Sequence, residues 1–248
     1  DPRVATSLDS LGFVLSAQGK LTEAEAVYRE ALAIEKRLLG NEHMDVSGSL
    51  ANLAIVLFHQ GKLAEAETTY REALAISRKL QKENPYVAIQ AANLARVLQA
   101  QGKLAEAETL QREALAIRKR LMGNEHPLVA NSLDGLARAL QAQGKLAEAE
   151  TLQREALAIR KKLMGNEHPD VFSSLHQLGG LLQAQGRLVE AEALYREALT
   201  YLPKPVVNDP SHDDQDLGVA LHHLADVLRE RKVLTEARSF AEQASAMY

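Results

Sequence analysis

Apolar residues recur at helical spacing along this chain, in two stretches that alternate from one end of the sequence to the other. In the segment from Leu133 to Leu163, the first stretch places Leu133, Leu136 and Leu140 on one face of a helix. A Gln-Gly-Lys element follows, and the second stretch then lines one helix face with Leu146, Ala149, Leu152, Ala156, Ile159 and Leu163. The pattern predicts two amphipathic helices joined by a short turn.

This helix pair returns at a fixed interval, because the turn glycines Gly19, Gly61, Gly102, Gly144 and Gly186 follow one another after 42, 41, 42 and 42 residues. A fixed period of this length is typical of solenoid proteins. We therefore expect one all-α domain over residues 1–248, a right-handed superhelical solenoid of six helix-turn-helix repeats. The repeats cover about 1–43, 44–84, 85–126, 127–168, 169–214 and 215–248, and prolines and aspartates predict an irregular loop over 203–216.

Small residues recur where the two helices of a repeat must approach each other closely. They are Gly12, Ala54, Ala95, Ala137, Gly179 and Ala225 in the first helices, and tyrosine faces this region in the second helices as Tyr28, Tyr70 and Tyr195. The remaining repeats have Gln111, Gln153 and Ala241 at the tyrosine position, which predicts looser packing or bound water there. Lys232 replaces the turn glycine of the sixth repeat, so that repeat is the least regular.

The order of leucine, small residue, turn glycine, alanine and tyrosine resembles the tetratricopeptide repeat, and the resemblance covers essentially the whole chain. The usual tetratricopeptide period is about 34 residues. The longer period found here, with the linkers LGNEHMDV, MGNEHPLV and MGNEHPDV, resembles the repeats of kinesin light chains and their bacterial relatives. This resemblance implies a concave groove, lined by the first helix of each repeat, in which peptide ligands lie.

Carrying the groove positions of that family over to this sequence gives a candidate peptide-binding site. Arg96 and Arg138 hold the same position in successive repeats, where they would take a carboxylate, unless Asp134 simply neutralises Arg138. Amide side chains would hold a peptide backbone and Phe58 would add an apolar contact. The full set is Asn52, Phe58, Asn93, Arg96, Gln99, Arg138, Gln141 and His176.

Composition and motifs argue against an enzymatic function for this chain. Charged residues make up 25% of it and the net charge is −4, which does not fit a nucleic-acid binder, and it has no cysteine. Glutamate pairs repeat in register at the starts of second helices, as capping electrostatics would require, and no catalytic motif is visible. The linker histidines His43, His126 and His168 are expected to be structural, and His212, His222 and His223 lack metal-ligand spacing. We expect no enzyme activity, no metal and no cofactor.

These features predict a cytoplasmic adaptor that binds a protein or peptide partner, with cargo or a tubulin-like filament as the leading candidates. The close similarity of repeats 3 and 4 suits a bacterial array that grew by duplication. An alternative is a peripheral membrane linker that uses basic runs on the convex side as an anionic-lipid stripe. Those runs are Lys36-Arg37, Arg78-Lys79, Arg118-Lys119-Arg120 and Arg160-Lys161-Lys162, and neighbouring glutamates offer a simpler role for them.

The last helix carries an apolar face that no further helix of the sequence would cover. This face could mediate self-association, and the oligomeric state is left open. Its residues are Leu234, Ala237, Phe240, Ala244 and Met247.

Overall fold

The computed structural model describes residues 2–81, 84–201 and 212–245. Within these ranges it consists of α-helices joined by turns, with no strand. The helices are α1 Pro2–Ala17, α2 Leu21–Leu39, α3 Met44–His59, α4 Leu63–Leu80, α5 Pro85–Ala100, α6 Leu104–Met122, α7 Pro127–Ala142, α8 Leu146–Met164, α9 Pro169–Ala184, α10 Leu188–Tyr201, α11 His212–Glu230 and α12 Leu234–Ser245. Each predicted repeat contributes one pair of packed helices, which confirms the all-α fold built from helix-turn-helix repeats.

The chain divides into two compact units, an N-terminal unit of residues Asp1–Gly123 and a C-terminal unit of residues Asn124–Tyr248. In the N-terminal unit, α1 to α6 pack each against the next, and α3 also contacts α1 and α5. In the C-terminal unit, α7 to α12 pack each against the next, and α9 also contacts α11. A single array over residues 1–248 stays a prediction.

The turns inside the repeats follow from the left-handed conformation of their glycines. Gly61, for example, has φ +76°, and the amide of the next residue, Lys62, donates to the carbonyl of Leu57 at 2.9 Å. This hydrogen bond satisfies a carbonyl at the end of the first helix. Lys232 adopts φ 65° at the equivalent turn of the sixth repeat, so the lysine is forced into the same backbone shape.

The linker histidines cap the helices that follow them. The Nδ1 atoms of His43, His126 and His168 accept hydrogen bonds from backbone amides two residues later, at 3.2, 3.1 and 3.1 Å. Asn84 does the same for Tyr86 at 2.9 Å in the one linker that is a residue shorter. An acceptor at this position satisfies an unpaired amide of the first helical turn. The expected structural role of these histidines is confirmed.

One expectation about irregular positions needs correction. The loop was expected over 203–216, but α11 begins at His212, so residues 212–216 are helical; residues 203–211 lie outside the described residues. Acidic residues suit the start of a helix, and the aspartates of that segment were interpreted as helix breakers instead. Gln111 and Gln153 are both buried. Gln111 Nε2 donates to the carbonyl oxygen of Ala92 at 3.3 Å, whereas Gln153 Oε1 has no hydrogen-bond partner among the described residues, so looser packing or bound water at this position stays a prediction.

The apolar face of α12 is largely used within the C-terminal unit. Ala237 and Ala244 are buried, and Phe240 packs against the core formed by α9, α10 and α11. The described part of this face therefore has a partner in α11, and self-association through it stays a prediction. The side chains of Leu234 and Met247, which were assigned to the same face, lie outside the described residues.

Candidate functional site

In the N-terminal unit, the structure brings three of the predicted groove residues together on the exposed side of α3 and α5. The guanidinium carbon of Arg96 lies 5.5 Å from the ring centroid of Phe58, as in a cation–π contact. Asn93 hydrogen-bonds the hydroxyl of buried Tyr70, whose pKa is raised by burial. Asn93 is thus partly committed to the packing beneath the surface, whereas Arg96 and Asn52 are exposed. Gln99 lies partly buried on the same helix.

In the C-terminal unit, Arg138 is exposed on α7 and lines a cavity of about 180 Å³, which we call the arginine pocket. Its lining comprises Asn131, Asp134, Arg138, Arg160, Asp170, Ser173 and Gln177. Arg138 and Arg96 belong to different units, so their expected position side by side stays a prediction. Gln141 is partly exposed on the same helix as Arg138.

Asp134 has a close partner other than Arg138. Its Oδ2 atom lies 2.5 Å from Nη1 of Arg160, and the two residues are only 4% and 6% exposed. Arg160 also donates to Ser174 Oγ at 2.5 Å and to Asn131 Oδ1 at 2.7 Å. Burial raises the pKa of Asp134, although the charge of Arg160 acts in the opposite direction. Arg160 therefore serves as an internal cation.

This burial of Arg160 contradicts its assignment to a basic stripe on the convex side. Several other cations of the same runs pair with glutamates of other helices or of linkers within their own unit. Lys36 pairs with Glu72, Arg78 with Glu113 and Lys161 with Glu197 at 2.6, 2.5 and 2.5 Å, and Lys79 and Lys162 pair with Glu42 and Glu125. For these residues the simpler electrostatic role is the one that the structure shows.

His176 belongs to an aromatic cluster in the C-terminal unit. Its ring centroid lies 4.5 Å from that of His223 and 5.7 Å from that of Tyr195, and the ring of Phe172 stacks with it at 6.4 Å. Burial, together with the charge of His223, lowers the pKa of His176 to about 4, so the ring is neutral at neutral pH. Packing between α9, α10 and α11 thus accounts for most of its surroundings.

A further cavity, of about 360 Å³, lies in the N-terminal unit and was not predicted; we call it the acidic pocket. It is lined by Thr6, Asp9, Glu35, Met44, Asp45, Gly48, Ser49, Asn52 and Tyr86. Ser49 Oγ donates to both carboxylate oxygens of Asp9, at 3.3 and 3.1 Å. Glu35 is only 6% exposed, and its Oε2 atom has no hydrogen-bond partner among the described residues.

Burial raises the pKa of both Asp9 and Glu35, and for Glu35 the nearby carboxylates of Asp9 and Asp45 add to the shift. Glu35 was not among the groove residues predicted from the sequence. A signal was present in the sequence, since Glu35 occupies the repeat position that Ser77, Arg118 and Arg160 fill in the next three repeats.

Among the described residues, no group of three or more histidine and acidic side chains is arranged to hold a metal ion. His222 Nε2 instead lies 3.3 Å from an oxygen of Asp226, one helical turn away. In the same part of the chain, no helix is both long and apolar enough to cross a membrane.

The repeated helix pairs, turn glycines and small-residue contacts define a class of helical repeat proteins. The chain belongs to the tetratricopeptide repeat family, whose sequence profile matches residues 3–79, 87–162 and 134–204. Its repeats are of the kinesin-light-chain type. No match was found among curated proteins.

Solved structures agree with this assignment. The chain is 31% identical to a Podosopora anserina putative kinesin light chain with nearly identical TPR-like repeats, over 81% of this chain and 96% of that one, with a TM-score of 0.73. BtubC (BKLC) from P. vanneervenii has the same fold, with 22% identity, a TM-score of 0.77, and 92% and 90% of the two chains covered. A Rap protein complexed with Competence and Sporulation Factor is 16% identical, with a TM-score of 0.63, over 97% of this chain and 73% of that one.

Proposed function

We propose that this chain is a non-enzymatic scaffold that binds a segment of another protein across the exposed side of its first helices. The proposed contact residues are Asn52, Phe58, Asn93, Arg96, Gln99, Arg138, Gln141 and His176. The tetratricopeptide fold is that of protein-interaction scaffolds, and the structure of a Rap protein with its bound factor supports this type of function. A cargo peptide or a cytoskeletal protein is the leading partner, because the repeats are of the kinesin-light-chain type, and the similarity to BtubC supports a tubulin-like filament as the cytoskeletal candidate.

The observation that carries this proposal is the contact between Arg96 and Phe58 on neighbouring first helices. A guanidinium that rests on an aromatic ring keeps its N–H groups available for a carboxylate, and the ring edge remains for an apolar side chain. Amide groups of Asn52 and Asn93 lie on the same two helices. This combination suits an acidic segment that also carries an apolar residue.

The test reverses the two arginines of the proposed site together, as Arg96→Glu with Arg138→Glu. Affinity for the natural partner, first captured from the native organism, should fall by roughly 2–5 kcal/mol if buried charge pairs are lost and reversed. Titration calorimetry measures the affinity, and helical content by circular dichroism should stay unchanged.

The matched control is Lys79→Glu with Lys162→Glu, which makes the same charge change at equivalent, exposed positions of α4 and α8. This control should bind the partner as the wild type does. Equal affinities for both double variants would show that the arginines take no part in binding.

Membrane attachment through the basic runs is the alternative function. It would give sedimentation with anionic liposomes that weakens as the salt concentration rises. The proposed groove requires no such binding, and the pairing of Lys36, Arg78 and Lys161 with glutamates works against it.

A further inference from the structure

The acidic pocket and the arginine pocket lie at the same place in the repeat. In repeat register, Asp9 corresponds to Asp134, Ser49 to Ser174 and Asp45 to Asp170. The position that differs in sign of charge is on the second helix, where the N-terminal unit has Glu35 and the C-terminal unit has Arg160. The arginine pocket therefore shows how this arrangement of side chains holds a cation, because Arg160 supplies one from within the chain.

In the arginine pocket, the guanidinium of Arg160 is held by three side chains. It contacts the carboxylate of Asp134, the hydroxyl of Ser174 and the amide oxygen of Asn131, at 2.5, 2.5 and 2.7 Å. A buried charge requires this kind of pairing, because transfer out of water is otherwise costly. Asp134, Ser174 and Asn131 thus form a binding site for a guanidinium group.

In the acidic pocket, the same aspartate and serine positions are kept, but none of the nine lining residues is basic. Asp9 is held by Ser49. Glu35 also lines this cavity, which has twice the volume of the arginine pocket, and its buried Oε2 atom has no hydrogen-bond partner among the described residues. The half-buried carboxyl of Asp9 and the buried carboxyl of Glu35, with no cation among the lining residues, favour a shared proton, in keeping with the raised pKa of each.

We infer that the acidic pocket binds the arginine or lysine side chain of a partner protein segment, in the place that Arg160 fills within the C-terminal unit. This inference rests on the proposed function only in taking the cation to be part of a protein. The bound cation would pair with Asp9 and Glu35 and release their proton. Asn52 lines the same pocket, so an anchored side chain would enter from the proposed binding surface.

A small probe tests the pocket without the natural partner. The probe is the peptide acetyl-Gly-Arg-Gly-amide, and its control is the same peptide with citrulline, which has a similar shape but no charge. When the arginine peptide is added to the whole chain, the NMR signals of the Asp9 and Glu35 carboxyl groups and of the Ser49 amide should shift. These shifts should level off as the peptide concentration rises. The citrulline peptide should cause no saturable shift. Equal shifts with both peptides, or none with either, would overturn the inference.

Variants at the differing position give a second readout. Glu35→Arg should fill the pocket from within, as Arg160 does, so probe binding should be lost while circular dichroism and thermal stability are kept or improved. Asp9→Asn should raise the dissociation constant of the probe by about tenfold or more, since one of the paired charges is removed. Probe binding that persists in Glu35→Arg would place the peptide elsewhere, and the same NMR shifts with calcium chloride alone would assign the pocket to a metal ion instead.

The natural partner then decides whether the pocket serves the proposed function. Partner affinity should fall in Glu35→Arg as well as in the Arg96 and Arg138 double variant. If the probe binds but Glu35→Arg leaves partner affinity unchanged, the inference about the partner's side chain is wrong while the scaffold function stands. If the double arginine variant alone leaves partner affinity unchanged, the proposed groove fails while the pocket stands.

Discussion

Among single residues, Lys232 stands out because it is the only described non-glycine residue with a positive φ. A side chain in the left-handed region costs about 1–2 kcal/mol. The variant Lys232→Gly should therefore raise the free energy of unfolding of the C-terminal unit by about 1 kcal/mol, since the greater freedom of glycine in the unfolded chain offsets part of the gain. Urea denaturation followed by circular dichroism measures the difference.

The reverse change at an equivalent turn is the control for Lys232. Gly186 has φ 75°, and a Cβ at that position would meet nothing within 4 Å, so Gly186→Lys introduces backbone strain without a clash. It should destabilise the C-terminal unit by a similar amount. If both variants leave the midpoint of unfolding unchanged, conformational strain at these turns is not a determinant of stability.

The sequence could predict residues whose role depends on local backbone shape, and it failed where a side chain's direction decides the role. Turn glycines and linker histidines fall in the first group. Arg160 falls in the second, because consecutive helical residues point about 100° apart. A run of three basic residues on a helix therefore spans most of its circumference, and one of them, here Arg160, turns inward. The same reasoning identifies Glu35 only after the structure shows which direction is inward.

At the scale of helix pairs, the tyrosine ring of the fifth repeat lies directly against Gly179 of the first helix, whereas the second repeat combines Ala54 with Tyr70. A Cβ added at Gly179 would lie 2.7 Å from Cε1 of Tyr195, which is closer than atoms pack. The ring cannot easily move away, since His176 and His223 flank it at 5.7 Å. Gly179→Ala should therefore destabilise the C-terminal unit by about 1–3 kcal/mol in urea denaturation.

The chain itself offers the control for this contact, because other repeats combine alanine with glutamine at the two positions. Ala95 occurs with Gln111, and Ala137 with Gln153. In the background of Tyr195→Gln, the change Gly179→Ala should cost much less, which a double-mutant cycle would report as a coupling free energy of about 1 kcal/mol or more. Additive effects would mean that the ring is not what excludes the alanine.

At the scale of the whole chain, periodicity predicted the six helix pairs, because each apolar stripe repeats and must be buried by its neighbours. It could not predict the contents of the pockets between first helices. Those contents depend on single positions where one repeat departs from the others, as Glu35 and His176 do, and a periodic pattern averages such departures away. The candidate groove residues likewise follow from the family resemblance, while the contact between Arg96 and Phe58 comes from the structure.

The departures also give the two units different responses to pH. The pKa of His176 is about 4 in the folded chain against an ordinary value of 6.5, so this group contributes stability above pH 6.5 that is lost as the pH falls towards 4. Asp9 and Glu35 have raised pKa values, so they contribute stability at low pH that is lost as the pH rises through their folded values. As the pH falls from about 7 to 5.5, where unperturbed carboxylates stay ionised, His176 should lower the stability of its unit. The acid pair should raise the stability of its own unit as the pH falls through the folded pKa values of Asp9 and Glu35.

Two variants isolate these opposing effects from other titrating groups, including His223 and the buried Asp134 of the C-terminal unit. His176→Phe keeps an aromatic ring but cannot be protonated, so its unit should lose less stability than the wild type on acidification, by roughly 1–2 kcal/mol after allowing for the partial exposure of the ring. Glu35→Gln should be more stable than the wild type at pH 7, and this advantage should shrink as the pH falls and the wild-type pair takes up its proton. Amide hydrogen exchange, read separately for α1–α6 and α7–α12 at both pH values, measures each unit by itself. The two units of the wild type could instead gain or lose amide protection in parallel, with the same pH dependence in both variants. That result would show that neither Glu35 nor His176 sets the pH response.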